Sequence, residues 1–243
     1  MMKFSHLTRL YTSQSICKNQ TLKIENEDFH YLKSVMRLKK SDIFRVFNAI
    51  DGEFAAKVEE FVGKSHVTVR IESQIRAVTV EKELILALCL IKPDRMTEAI
   101  KSATALGVTK IIPLLSERTQ YKTINKGKME RCIISATEQS ERFKPAELAQ
   151  EMQLSEFCKL PEIEQVIFAC ESEIKTNRII DIPKLKRTIA VLIGPEGGFS
   201  ENEMRHIKSY DHVYPISLGN TVLRTETAVT AALACVQMMR NNA

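Results

Sequence analysis

The run Leu84–Ile91, LILALCLI, carries no polar side chain. A strand with one solvated face alternates apolar and polar residues, so an unbroken apolar run of this length predicts a strand covered on both faces. Such strands occur in parallel sheets packed between helices, and the chain that follows has the rhythm this requires. RMTEAIKSATALG (Arg95–Gly107) reads as an amphipathic helix closed by Gly107, and Val108–Ser116 as the next strand. Lys128–Phe143 is helical in pattern, with Pro145 shortly beyond it. Glu164–Glu171, Thr188–Gly198 and His212–Gly219 are further strand candidates, and Ser200–Tyr210 and Glu226–Arg240 are helices. Strands alternating with helices predict an α/β domain built on a mainly parallel sheet.

The first part of the chain differs. Asp42–Ala49, Glu53–Gly63 and Ser65–Ile75 carry β-branched and aromatic residues in partial alternation, punctuated by Asp51-Gly52 and Gly63. One helix fits Asp28–Leu38, where Phe29, Leu32, Val35, Met36 and Leu38 fall near a single stripe. The sequence therefore predicts a small, mostly β domain over residues 1–74 and an α/β domain over 75–243, with the polar stretch Ser73–Glu81 between them. A chain of 243 residues buries a sizeable core without disulfides or metals. Its six cysteines are scattered and form no C-x-x-C pair, which predicts no metal site, no disulfide framework and a reducing, cytoplasmic setting. Neither a secretory leader nor a membrane-spanning run is expected. The net charge of +5 permits nucleic-acid binding without requiring it.

Two segments near the C-terminus hold most of the chemistry. LIGPEGGFS (Leu192–Ser200) joins a strand to a helix, and its three glycines let backbone turn sharply and approach a ligand closely. Ser200, followed by Glu201 and Glu203, has the pattern of a helix N-cap. The loop lacks the Lys-Ser or Lys-Thr of a phosphate-binding P-loop and the G-x-G-x-x-G of a dinucleotide site, which argues against a nucleotide hydrolase. LGNTVLRTETA (Leu218–Ala228) runs from a strand end through Gly219-Asn220 into the last helix, with Thr225 or Thr227 placed to cap it and Arg224 and Glu226 at its mouth.

The two segments together, in this order and spacing, resemble the signature of the 16S rRNA uridine-N3 methyltransferases of the SPOUT class. Arg9 and HYLKSVMRLKKSD (His30–Asp42) resemble that family's small, PUA-like RNA-binding domain, while Lys92, Ala105–Val108, IPLLSERTQ and ATEQSERFKP (Ala136–Pro145) resemble its catalytic half. Ser102 and Ala105 stand where the family often has lysine and glutamate, and Ser41 where it often has glycine.

The resemblance implies a trefoil-knotted methyltransferase domain, a homodimer, and S-adenosylmethionine as cofactor. Three loops would surround it: Ala169, Cys170 and Glu171; Ile193, Gly194, Pro195, Glu196, Gly197 and Gly198; and Leu218, Gly219, Leu223, Arg224, Thr225 and Thr227. Methylating a uridine at N3 requires loss of an imide proton, either to a base or with cations holding the charge that spreads onto the flanking oxygens. Glu196 and Glu138 are candidates for the first role, Arg224 and Arg142 for the second. Arg9, Lys33, Arg37, Lys39 and Lys40 are candidate contacts to 16S rRNA phosphates. The alternatives are a non-catalytic ribosome-assembly factor of the same fold, or a SPOUT enzyme acting at another RNA position.

Overall fold

In the computed structural model, which describes residues 6–170, 179–182 and 184–241, the chain divides into two compact units. The first is Met1–Val80 together with Glu141–Lys144, and the second is Glu81–Ser140 with Pro145–Ala243. The polar stretch Ser73–Glu81 contains this division, whereas a cut at 74/75 would fall inside a strand.

The N-terminal unit is built from β1 (Arg9–Tyr11), β2 (Thr21–Glu25), helix α1 (Asn26–His30), β3 (Ile43–Asn48), β4 (Gly52–Val62) and β5 (His66–Arg76). They form a sheet in the order β1-β3-β4-β5-β2, antiparallel except for the β1–β3 pair. Alternation sets its core: Leu22 and Ile24 point inward from β2, Val67, Val69 and Ile71 from β5, and Phe44 and Val46 from β3. The expected helix begins at Asn26 but widens into a π-helical turn at Tyr31–Val35, which buries Leu32 and leaves Val35 exposed. The amide of Met36 donates to the Tyr31 carbonyl at 2.9 Å, closing the five-residue step of that turn.

The second unit contains β6 (Leu84–Cys89), α2 (Pro93–Ala105), β7 (Lys110–Leu115), α3 (Lys126–Gln139), β8 (Glu147–Leu148), β9 (Met152–Gln153), α4 (Leu154–Phe157), β10 (Gln165–Ala169), β11 (Ile189–Ile193), α5 (Glu201–Lys208), β12 (Val213–Ile216) and α6 (Thr225–Asn241). The sheet runs β12-β10-β11-β6-β7-β8, with β9 also paired to β7, and its pairings among the described residues are all parallel. Every residue of β6 and β11 is buried, as the unbroken apolar runs require. One face packs Leu84, Leu86 and Leu88 against α2 and α6, the other packs Ile85, Ala87 and Cys89 toward Leu154, Phe157 and Ile207. Each such leucine contributes about 1.5–3 kcal/mol by leaving water. Gly107 ends α2 at φ +85°, the left-handed position that a side chain adopts only with strain.

The helix expected over Lys128–Phe143 stops at Gln139. Glu141 turns out of it at φ +59°, and Glu141–Lys144 joins the N-terminal unit. Three arginines of that unit hold the turn. Arg45 Nη1 donates to the Glu141 carboxylate at 2.9 Å, Arg76 Nη2 to the Glu141 carbonyl at 3.0 Å, and Arg9 Nη2 to the Arg142 carbonyl at 3.0 Å. Helix propensity in SERF is thus overridden by tertiary hydrogen bonds, which no local pattern announces. Among the described residues no helix is long and apolar enough to cross a membrane.

Candidate cofactor pocket and substrate-contacting residues

Parallel strands place their C-terminal ends along one edge of a sheet, where the loops that leave them can enclose a ligand. Here β12, β10 and β11 are neighbours. The segments that follow them, with Phe168–Cys170, Gly194–Phe199, Ser217–Gly219 and Thr221–Leu223, line a cavity of about 430 Å³. That is the size range of pockets that take cofactor-sized molecules. Its walls are mixed: Ile193, Leu218, Val222 and Leu223 are apolar, and the glycines offer bare backbone. The N-terminal end of α6 closes it through Thr225 and Ala228.

The two glycine-punctuated segments touch. Thr225 Oγ donates to the Gly194 carbonyl at 3.4 Å, so this hydroxyl ties one loop to the other instead of capping α6. A Cβ at Gly194 would lie 2.7 Å from the Phe199 ring, which itself packs edge-on to Phe168 with centroids 5.4 Å apart. Ser200 caps α5 as its sequence predicts: its side chain accepts from the Glu203 amide at 3.2 Å, and the Glu203 carboxylate accepts from the Ser200 amide at 2.9 Å.

Of the residues expected around the cofactor, Ala169, Cys170, Ile193, Gly194, Pro195, Glu196, Gly197, Gly198, Leu218, Gly219, Leu223 and Thr225 line the cavity. Glu171 lies outside the described residues. Arg224 and Thr227 are exposed and are not among the lining residues; the Arg224 carbonyl accepts from Ala228, starting α6. Among the four catalytic candidates only Glu196 lines the cavity, with its carboxylate 3.6 Å from Arg95 at the start of α2. Glu138 is half-buried on α3. Arg142 is buried and belongs to the N-terminal unit.

Arg118, which lies within the IPLLSERTQ segment but was not among the candidate site residues, also lines the cavity. It follows β7, its Nη1 donates to the Gly197 carbonyl at 3.0 Å, and the neighbouring Glu117 amide donates to Glu203 at 2.8 Å. Phe168, Phe199, Met204, Thr221 and Val222 also join the cavity. Phe199, Thr221 and Val222 lie inside the two glycine-punctuated segments, Met204 lies close after the first of them, and Phe168 directly precedes Ala169.

In the N-terminal unit, Lys33, Arg37, Lys39 and Lys40 are exposed. Lys33 Nζ donates to the Gly63 carbonyl at 2.7 Å and lies 5.1 Å from the Phe29 ring centroid. Arg9 has a different setting from the expected phosphate contact. Its side chain is 2% exposed, its Nε donates to Glu53 at 2.5 Å, and its guanidinium stacks on Phe47 at 3.9 Å. Burial pushes its pKa down, opposed by the hydrogen bond and the attraction to Glu53. An arginine so enclosed has no exposed face for RNA, which corrects the expectation drawn from its place in the sequence. Among the described residues no cluster of His, Cys, Asp or Glu is arranged to hold a metal.

Comparison with known proteins identifies this architecture. The profile of a family described as an RNA methyltransferase domain matches residues 79–237, and that of an RNA methyltransferase PUA domain matches 24–72. A relative from Rickettsia conorii, named ribosomal RNA small subunit methyltransferase E, is 36% identical over 95% of both chains. A Legionella pneumophila protein solved with the cofactor SAM superimposes with a TM-score of 0.88 at 31% identity, covering 96% of this chain and 98% of its own. The ribosomal RNA small subunit methyltransferase E of Neisseria gonorrhoeae, bound to S-adenosyl methionine, gives a TM-score of 0.86 at 25% identity, covering 96% and 98%. With its PUA and methyltransferase domains in register with these relatives over nearly their whole length, the chain belongs to the ribosomal RNA small subunit methyltransferase E family.

Proposed function

We propose that this protein methylates N3 of a uridine in 16S, small-subunit, ribosomal RNA with S-adenosylmethionine as donor. The observation that carries the reading is the meeting of the two glycine-punctuated loops, tied by Thr225 to Gly194 and lining one cavity. The residues present fit an adenosyl sulfonium. Apolar walls from Leu218, Leu223 and Ile193 suit the adenine, and backbone of Gly194–Gly198 and Gly219 suits its polar edges and the ribose. Gly194 packs against the Phe199 ring with no room for a Cβ, which leaves its backbone bare on the cavity wall.

The bound donor supplies an already activated methyl group, so the chain's own residues have to orient the base, exclude water and manage the N3 proton. Glu196, half-exposed on the cavity wall and near Arg95, is the proposed base. Arg224 and Thr227 remain proposed contacts at the open side, from the mouth of α6. Glu138 and Arg142 keep their place in the proposal through the family motif rather than through the cavity.

Lys33, Arg37, Lys39 and Lys40 form an exposed basic stretch, interleaved with exposed Val35 and Met36, that suits phosphate and base contacts in RNA. The base must be unpaired or flipped, because Watson–Crick pairing occupies N3. The reading includes a cytoplasmic homodimer, and α6 leaves Thr227, Thr230 and Met238 exposed for such a contact.

Calorimetry with S-adenosylmethionine tests the pocket. Gly194→Ala should weaken binding about tenfold or more, roughly 1.4 kcal/mol, by pushing Phe199 into the cavity. Equal affinities in the two proteins would place the donor elsewhere.

A further inference from the structure

Among the described residues, the charged side chains lining the cavity are Arg118 and Glu196. Glu196 has Arg95 beside it at 3.6 Å, whereas no carboxylate among the described residues pairs with Arg118. Arg118 is exposed and held from two sides. Its Nη1 is fixed by the Gly197 carbonyl at 3.0 Å, and its stem packs on Gly197, where a Cβ would meet Arg118 Cβ at 3.5 Å. The turn that carries it is pinned by the bond from the Glu117 amide to Glu203, the same carboxylate that closes the α5 cap. A guanidinium has five N–H donors, and one bond to Gly197 leaves most of the fork available.

We propose that Arg118 is a catalytic residue: it donates to a carbonyl oxygen of the target uracil and takes up the negative charge that appears there when N3 loses its proton. The proposal rests on the methylation reading above and assigns the cation that the reaction needs. The chemistry of the base favours this placement. N3 sits between two carbonyls, so a uracil that presents N3 to the cavity also presents O2 or O4 to its rim. In the step itself the N3–H bond breaks, the proton passes to Glu196 or to water, and the electron pair stays on the ring, shared by N3, O2 and O4. A fixed cation aimed at that charge lowers the barrier without having to reorganise as the charge develops.

The test is single-turnover methylation of a uridine-containing small-subunit RNA by wild type, Arg118→Ala and Arg118→Lys, with S-adenosylmethionine binding measured separately by calorimetry. Arg118→Ala should lose about 10²–10³ in rate at saturating donor and RNA, the loss typical of removing one such donor. Its rate should rise with pH to a higher plateau pH than wild type, and Arg118→Lys should recover part of the loss. RNA carrying 5-fluorouridine at the target, whose imide is more acidic, should speed the alanine variant more than wild type. Donor affinity should stay within about threefold, because the lost interaction is with the base. A rate within about threefold of wild type overturns the proposal. So does a loss found wholly in donor affinity, which would make Arg118 a support for the Gly197 loop or a partner of the donor's carboxylate. If wild type makes no 3-methyluridine at all, the methylation reading fails instead.

Discussion

Replacing Glu53 by alanine should cost the N-terminal unit as much stability as truncating one of its fully buried phenylalanines. Its carboxylate is fully buried and bonded to Arg9 Nε at 2.5 Å and Arg76 Nε at 2.6 Å, with Arg45 Nη1 at 3.5 Å. Arg9 and Arg45 are 2% and 7% exposed, so water cannot replace what Glu53 provides. Desolvation already outweighs attraction for Arg9 with Glu53 in place, as its lowered pKa records. Without Glu53, Arg9 loses the carboxylate that opposes that desolvation and keeps the Arg142 carbonyl and the Phe47 ring, while Glu141 remains to offset the repulsion among Arg45, Arg9 and Arg76. A unit pair about 4 Å apart attracts by roughly 4 kcal/mol at an effective dielectric near 20. Breaking a buried pair on one side typically costs about 3–5 kcal/mol. For a chain of 243 residues this converts to a fall in Tm of about 6–20 °C. Scanning calorimetry of wild type and Glu53→Ala measures it. Arg9→Met combined with Glu53→Leu should be less destabilised than the two single changes added together, since both charges leave. A fall of under about 2 °C for Glu53→Ala would refute the reasoning, because it would mean the cluster relaxes into solvent when its centre is removed.

Three further outcomes follow from the same structure. Ser41 occupies φ +74°, so Ser41→Gly should stabilise the protein by about 1 kcal/mol in urea titration; a loss of stability would mean its side chain contributes more than its backbone strain costs. The Glu141 carboxyl is held below its ordinary 4.5 chiefly by the Arg45 hydrogen bond. Its contribution is therefore complete above about pH 4.5 and is lost as pH falls through the lowered folded value, and Glu141→Gln should flatten that part of the stability–pH curve. Burial pushes the Cys89 thiol up to about 12 and Cys158 to about 11. At pH 8 a thiol reagent should label exposed Cys17 and leave those two untouched until the protein unfolds; fast labelling of either would contradict the packing.

How much of this was legible in sequence depends on the range of the interaction concerned. β6 and β11 could be read because burial on both faces leaves an unbroken apolar run, and the α5 cap because Ser200 and Glu203 are three residues apart. β1, β8 and β9 were not found, since strands of two or three residues show no period. Glu141–Lys144 read as helix because the arginines that pull it away lie at positions 9, 45 and 76. The same arginine at position 9 looked like an RNA contact until its partner Glu53 came into view. Of the site, the glycine loops were legible, and so was the IPLLSERTQ segment that carries Arg118, but not the place of Arg118 on the cavity. A loop arginine has no periodicity, and its place on the cavity is set by the pairing of β7 in the sheet. Ser41 is the converse case: the family's glycine there becomes intelligible once the left-handed backbone is seen.

The most direct measurement is the chemical identity of the product. Small ribosomal subunits lacking the modification are incubated with this protein and methyl-labelled S-adenosylmethionine, and their nucleosides are resolved by mass spectrometry. Label in 3-methyluridine at one position of the small-subunit RNA is the predicted result. Label only on a ribose hydroxyl or a different base atom, or no label with intact, donor-binding protein, would contradict it.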